Sequence, residues 1–172
     1  MERYPSSVRE EISRLYERYA DDVYRYGRLT LGTEDDAYDV VQETFLRAIR
    51  GWPRFRREAS EQTWLLQIAR NVMYDKFRRR RSEQRVMQFA QIHQTKWQDA
   101  IDHSLVIESA IRKLRESYRQ VVILRHVEGL NVEETAQVLG WSENKVRSTT
   151  HRALAKLRDL LTDDEETGVW DR

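Results

Sequence analysis

Apolar side chains recur at steps of three and four residues over most of this chain, a spacing that only a helix turns into one continuous stripe. Val8, Ile12, Leu15, Tyr16, Tyr19, Val23 and Tyr26 predict a first helix over 7–29. After Leu31-Gly32, Thr33 is a candidate N-cap, with Glu34, Asp35 and Asp36 where the helix dipole favours acids. Ala37, Val40, Val41, Phe45, Ala48 and Ile49 then form the inner face of a second helix that ends near Gly51-Trp52-Pro53. A third opens near Ser60 or Glu61, carries Trp64, Leu65, Ile68, Ala69, Val72, Met73 and Phe77, and runs out into Arg78-Arg79-Arg80-Arg81. With only two prolines and six glycines, the chain lacks the turn residues of a sheet protein.

Periodicity fades over 82–104, which reads as a flexible linker with room for a short helix around 86–92. Beyond it, Leu105, Ile107, Ala110, Ile111 and Leu114 mark a fourth helix. Ser117 is a candidate cap for a fifth, which carries Val121, Val122 and Leu124 toward Gly129. Asn131 and Glu134 have capping-box spacing and open a sixth helix, 132–139, closed by Gly140. Ser142 caps a seventh, with Val146, Thr150, Ala153, Leu154, Leu157, Leu160 and Leu161. The expected fold is all-α: a helical domain over 1–81, the linker over 82–104, a second helical domain over 105–161, and an acidic tail over 162–172.

The absence of cysteine excludes disulfides and thiolate metal sites. His93, His103, His126 and His151 lack metal-ligand spacing, so no metal or cofactor is expected. No apolar run approaches the ~20 residues that span a bilayer. The first residues lack the apolar stretch of a signal peptide, and a cytoplasmic protein with no membrane insertion is expected. Net charge is only +1, yet the charge is segregated. Basic residues crowd 70–85 and 145–158, and acids collect at 34–36 and 163–166. Two basic faces on a near-neutral chain point to two polyanion contacts.

Residues 132–161 have the layout of a helix-turn-helix, in which the start of the second helix enters the major groove. Ala136 permits a close helix crossing, and Gly140 permits the positive φ of the reversal. Glu143, Asn144, Lys145, Arg147, Ser148, Thr149, His151 and Arg152 would face the DNA, with Val146, Thr150 and Leu154 packed behind. Arg147, Ser148, His151 and Arg152 share one helix face. Arginine bonds guanine edges bidentately, while serine or histidine can take a base or a phosphate. The bland alternative is a solvated basic helix. In the first domain, Asp39, Gln42, Glu43 and Arg47 form a polar face that amphipathicity alone would explain. Arg70, Asn71, Asp75, Arg78 and Arg79 form another, in which the amide suits a base edge and the arginines suit phosphates. Trp64 could stack on a base, although its spacing fits the core.

Three strings occur in order: Asp39-Val-Val-Gln-Glu-Thr-Phe45, Thr63-Trp-Leu-Leu-Gln-Ile-Ala-Arg-Asn71 followed by Asp75 and Arg78-Arg79, and Glu128-Gly-Leu-Asn-Val-Glu-Glu-Thr-Ala136. Together they make the chain resemble, over 15–161, the bacterial extracytoplasmic-function sigma factors of the sigma-70 family. The resemblance implies a factor that binds core RNA polymerase, recognises −35 and −10 promoter elements and promotes melting, without being an enzyme. It implies that Asp39, Gln42, Glu43 and Arg47 dock on the clamp helices of the largest subunit, with a further contact to the polymerase flap. It implies that the loop 55–62, with Phe55, Arg56, Arg57, Ser60 and Gln62, captures a flipped −10 base. Arg70 and Asn71 would then lie by the melted strand, and Arg78 and Arg79 at its phosphates. Lys145, Arg147, Ser148, His151 and Arg152 would read the −35 element. An anti-sigma factor and a stress-linked role are further implications. Two departures are Arg115, near which the family has proline, and Thr135, where it has an aliphatic residue.

Two other readings compete. A helix-turn-helix repressor or activator would bind a palindrome alone, as a dimer. An enzyme could draw a carboxylate pair from Glu10, Glu11, Asp21, Asp22, Asp35, Asp36 and Asp39, but no phosphate loop, nucleophile elbow or metal triad accompanies them.

Overall fold

The computed structural model describes residues 6–87 and 103–166. Every regular element among them is helical, as the apolar spacing predicts. The order is α1 (Ser6–Leu31), α2 (Glu34–Gly51), a single 3₁₀ turn (Trp52–Arg54), α3 (Glu61–Met87), α4 (His103–Lys113), α5 (Glu116–Val122), a π-helical segment (Ile123–Val127), α6 (Val132–Leu139) and α7 (Glu143–Glu166).

The stop and start signals act where the local chemistry requires. Thr33 caps α2: its Oγ1 accepts from the Asp36 N–H (3.2 Å), and its hydroxyl donates to Asp36 Oδ2 (2.7 Å). Ser60 does the same for α3, accepting from the Thr63 N–H at 3.1 Å. The capping box of α6 is complete. Asn131 Oδ1 accepts from the Glu134 N–H (2.9 Å), and the Asn131 N–H donates to Glu134 Oε2 (2.8 Å). Gly140 ends α6 with φ +65°, the left-handed turn that lets α7 begin after Ser142. The Ser142 Oγ accepts from the Lys145 N–H at 3.3 Å.

α1, α2 and α3 pack around Leu15, Val23, Val40, Phe45, Leu65, Leu66, Ala69 and Met73. α1 and α2 cross closely at Gly27, where a Cβ would sit 3.3 Å from the Ala37 Cα. α4 to α7 pack around Ile111, Leu114, Val121, Leu124, Leu130, Val138, Leu139 and Ala153. The two bodies are in contact, and one continuous set of buried apolar residues runs through both.

Several boundaries differ from the sequence reading. α3 extends to Met87, so the helix runs on into the first residues of the expected linker; the remainder of the short helix expected around 86–92 lies outside the described residues. α5 starts from Arg115, without a side-chain cap, and not from Ser117. α7 continues through Glu166, so the acidic run 163–166 is its last turn rather than a tail; 167–172 lie outside the described residues. Tyr16 and Ile107, expected in the core, are half exposed. The family departures are accommodated. Arg115 has φ −60° and ψ 152°, the backbone a proline would adopt. Thr135 is fully buried, and its hydroxyl donates to the Asn131 carbonyl at 2.7 Å.

Candidate nucleic-acid and polymerase interface

The helix-turn-helix is built from its packed side outward. Ala136, Val138, Leu139, Val146 and Ala153 are buried, which fixes the rotation of α7 about its own axis. Lys145, Arg147, Ser148, His151 and Arg152 are consequently all exposed on the opposite side. Thr149 is not among them: it is buried, and Thr150 is only half-buried. Thr149 stands three residues after Val146 and four before Ala153, on the same buried stripe, and Thr150 lies at its edge. The exposed side chains are braced on their own helix. Arg147 pairs with Glu143 (2.6 Å) and lies 3.4 Å from Asn144 Oδ1. Arg152 donates to the Ser148 carbonyl at 3.2 Å, and the Lys145 amine sits 4.1 Å from the centre of the Trp141 ring. An arginine held this way is pre-extended toward a base edge or phosphate at reduced entropic cost.

On α2, Asp39 and Gln42 are exposed, while Glu43 and Arg47 are half-buried. This face is cross-linked to α3 by charge. Arg47 bridges Glu43 (2.7 Å) and Asp75 (3.0 Å), Lys76 reaches Asp39 (2.9 Å) and Asp36 (3.5 Å), and Arg80 reaches Asp36 (2.5 Å). Burial works against the Asp36 carboxylate, but the Thr33 hydroxyl and Arg80 outweigh it and hold its pKa below the usual range. The basic run at the end of α3 is therefore partly committed: Arg78 pairs with Asp75, and Arg80 with Asp36. Arg79 and Arg81 are exposed. Leu46, half exposed, lines a shallow hollow together with Gln42, Glu43 and Arg47. The sequence reading missed it, although its place between Glu43 and Arg47, off the buried stripe, was a usable signal.

The loop between the 3₁₀ turn and α3 is anchored by a cluster of three aromatic rings in mutual contact. The ring centres of Phe55 and Trp52 lie 5.4 Å apart, those of Phe55 and Trp64 4.6 Å, and those of Trp52 and Trp64 5.8 Å. Trp64 is thus engaged with protein, as its spacing indicated. Arg56 and Arg57 stand exposed beyond the cluster, and Arg57 adopts φ +58°. Ser60 is engaged as the α3 cap. Gln62 donates to Asp22 (2.9 Å) and to the Glu128 carbonyl (3.3 Å). Arg70 is half-buried with its guanidinium 4.5 Å from the centre of the Tyr74 ring, and Asn71 is exposed. A cleft of about 770 Å³ between the two bodies brings Arg78 and Arg81 of α3 to the same opening as Arg115 and Trp141.

Sequence reasoning did not foresee how the bodies join. Arg25 of α1 pairs with Glu128 (2.8 Å), whose side chain is fully buried, and with Asp22 (2.8 Å). Arg28 pairs with Glu108 at 2.9 Å. Tyr26 is completely buried and its hydroxyl bonds Gln120 of α5. The C-terminal carbonyls of α1 are also completed from the second body, with Arg119 donating to Thr30 (3.0 Å) and Arg112 to Gly32 (3.5 Å). Burial pushes the Glu128 carboxyl up to about 7 against the opposing pull of Arg25. No charge pattern in the sequence singled these residues out.

Two helical bodies, one ending in a helix-turn-helix, define the architecture of a two-domain sigma factor. Residues 15–83 match sigma-70 region 2, and residues 104–157 match sigma-70 region 4. The chain is 32% identical to the ECF RNA polymerase sigma factor SigX of Bacillus subtilis, covering 92% of this chain and 91% of that one. It is 34% identical to the ECF RNA polymerase sigma factor BldN of Streptomyces coelicolor, covering 95% of this chain but 65% of the relative's length. Among solved structures, CnrH in complex with the cytosolic domain of CnrY superposes with a TM-score of 0.69 at 28% identity, over 91% of this chain and 90% of that one. The sigma factor RpoE of Bartonella quintana, in complex with the anti-sigma factor NepR, shares the fold with a TM-score of 0.78 at 22% identity, over 95% and 99% of the two chains. The chain belongs to the extracytoplasmic-function sigma factors of the sigma-70 family, alternative sigma factors that serve promoter recognition in transcription initiation. Among the described residues no helix is long and apolar enough to cross a membrane.

Proposed function

We propose that the chain binds core RNA polymerase through the α2 face of Asp39, Gln42, Glu43 and Arg47, with Leu46 as its apolar centre. It acts beside the polymerase on DNA in the cytoplasm and contributes no catalytic residue of its own. α7 reads the −35 element in the major groove with Lys145, Arg147, Ser148, His151 and Arg152. The loop 55–62, presenting Phe55, Arg56, Arg57, Ser60 and Gln62, takes up an extruded −10 base. Arg70 and Asn71 line the path of the unpaired strand, and Arg78 and Arg79 hold its phosphates. Melting then needs no hydrolytic chemistry. An unpaired strand bound more tightly than the duplex shifts the population toward open DNA. A protein partner of the anti-sigma type fits this reading, because the solved relatives with this fold were captured with such a partner.

The observation that carries the proposal is the α7 face: five exposed polar side chains, on a helix whose rotation the buried Val146, Thr149 and Ala153 fix, next to a completed capping box. Thr149 and Ser60 qualify it. Thr149 supports the face from behind, and Ser60 serves the loop chiefly by capping α3. The polymerase half is tested by Gln42→Ala and Glu43→Ala in a core-binding assay. Binding should weaken by about 1–3 kcal/mol at an interface hot spot while the helical content stays intact. Unchanged binding with an intact fold would remove the α2 face from the proposal.

A further inference from the structure

The cleft of about 770 Å³ between the two bodies has the volume of a site for a small organic ligand. Three stretches of chain wall it. α3 contributes Tyr74, Phe77 and Arg81, the start and middle of α5 contribute Arg115 and Gln120, and the turn before α7 contributes Trp141. Three aromatic rings and two guanidinium groups therefore face one opening.

The polar groups of this lining are unequally satisfied. Arg78, at the same wall, is committed to Asp75. Tyr74 is committed as well: burial, and after it the Glu116 carboxylate that its hydroxyl bonds, raise its pKa and keep it a neutral donor. Arg81 and Arg115, by contrast, have no carboxylate partner among the described residues, and Arg115 lies 3.8 Å from the centre of the Tyr118 ring. Gln120 carries the argument furthest. It is only 2% exposed, its Oε1 accepts from the Tyr26 hydroxyl, and its Nε2 is buried at the cleft wall with no acceptor. A buried amide donor left unpaired is unfavourable, so an acceptor entering the cleft is stabilised there.

These groups select a ligand by its chemistry. Two uncommitted arginines suit two phosphate groups, which their planar forks bind bidentately. Aromatic walls take up a flat heterocycle by stacking. The Gln120 amide needs an oxygen or ring nitrogen on that heterocycle. A simple anion would leave the rings bare, and an apolar compound would leave the cations and the amide unpaired. We propose that this cleft binds a nucleoside diphosphate, with its base among Tyr74, Phe77 and Trp141, an acceptor toward Gln120, and its phosphates on Arg81 and Arg115. Neither arginine has a role in the promoter or polymerase contacts given above, so failure of this site would leave those contacts standing.

Calorimetric titration of the full chain with ADP, GDP, CDP and UDP tests the site, with pyrophosphate and the matching nucleosides as controls. At least one diphosphate should bind one to one, and at least tenfold more tightly than pyrophosphate or its own nucleoside. The urea midpoint of the protein should rise with the concentration of that diphosphate. Arg81→Ala and Arg115→Ala should each weaken binding by about tenfold. Arg50→Ala, which removes the same charge from an exposed position of α2 outside the cleft, should leave it unchanged. Trp141→Phe keeps a ring at the wall and should retain most of the affinity that Trp141→Ala loses. Four diphosphates that give neither heat nor a midpoint shift overturn the site. So does pyrophosphate binding as tightly as any of them, or an Arg50→Ala loss equal to that of Arg81→Ala, since either result describes a charged surface rather than a nucleotide site.

Discussion

Glu128 turns a packing detail into a pH dependence. Burial raises its pKa from 4.5 to about 7, and Arg25 pulls it back only in part. Asp22 adds repulsion from α1, and the Gln62 amide bonds its backbone carbonyl from α3. His126, two residues earlier, shifts the opposite way, below its usual value through burial and Arg125. A carboxyl whose pKa is raised in the packed form stabilises that form fully when protonated, below the pKa of the solvated group. That contribution is lost as pH climbs through the raised value. Stability to urea should therefore fall between about pH 5 and 8, and Glu128→Gln should flatten that part of the profile. An unchanged fall in Glu128→Gln would contradict the assignment, because the lowered pKa of His126 favours the packed form as pH rises. On α7, Arg147→Ala and Arg152→Ala should each weaken upstream-element binding by about 1–3 kcal/mol, read by competition between duplexes in the polymerase complex. Both arginines could be picked out from the sequence because four polar residues fell on one helix face. Thr149 was misplaced because its neighbour Thr150 has the same chemistry, and only the packing of Val146 and Ala153 decides which one turns inward.

At the scale of elements, caps decided which boundaries could be read in advance. Thr33, Asn131, Gly140 and Ser142 each end or begin a helix where the residue type predicts. Removing one such cap has a measurable effect. Asn131→Ala should cost about 1 kcal/mol in urea unfolding, because the Glu134 N–H at the start of α6 loses its side-chain acceptor. Boundaries without a side-chain cap were misjudged. α5 begins at Arg115 on backbone geometry alone, with no side chain to announce it. α3 runs on through Arg78–Arg81 and α7 runs past Leu161 because charged side chains of good helix propensity sustain a helix that needs no further burial. The 52–64 aromatic cluster was half legible: Trp64 was recognisable as core by spacing, but its partners Trp52 and Phe55 come from a turn, where no period applies.

Over the whole molecule, the two-body plan was evident from the linker and from the charge segregation, whereas the contact between the bodies was not. Pairs such as Arg25–Glu128 and Arg119–Thr30 join residues about a hundred positions apart, and local pattern carries no information at that range. Tyr26 reads as an ordinary core residue of α1 until α5 is seen to complete its surroundings. The packing of the two bodies engages Gln62 and half-buries Arg70, and leaves exposed most of the α2 and α7 faces proposed above for polymerase and upstream DNA. Through those faces, as proposed above, this chain directs core RNA polymerase to defined start sites. The most direct test is run-off transcription on genomic fragments with core polymerase, with and without the purified protein. Discrete transcripts should appear only with the protein, and should be lost or sharply reduced when Gln42 and Glu43 of α2, or Arg147 and Arg152 of α7, are replaced by alanine. Transcripts identical with and without the protein would contradict it.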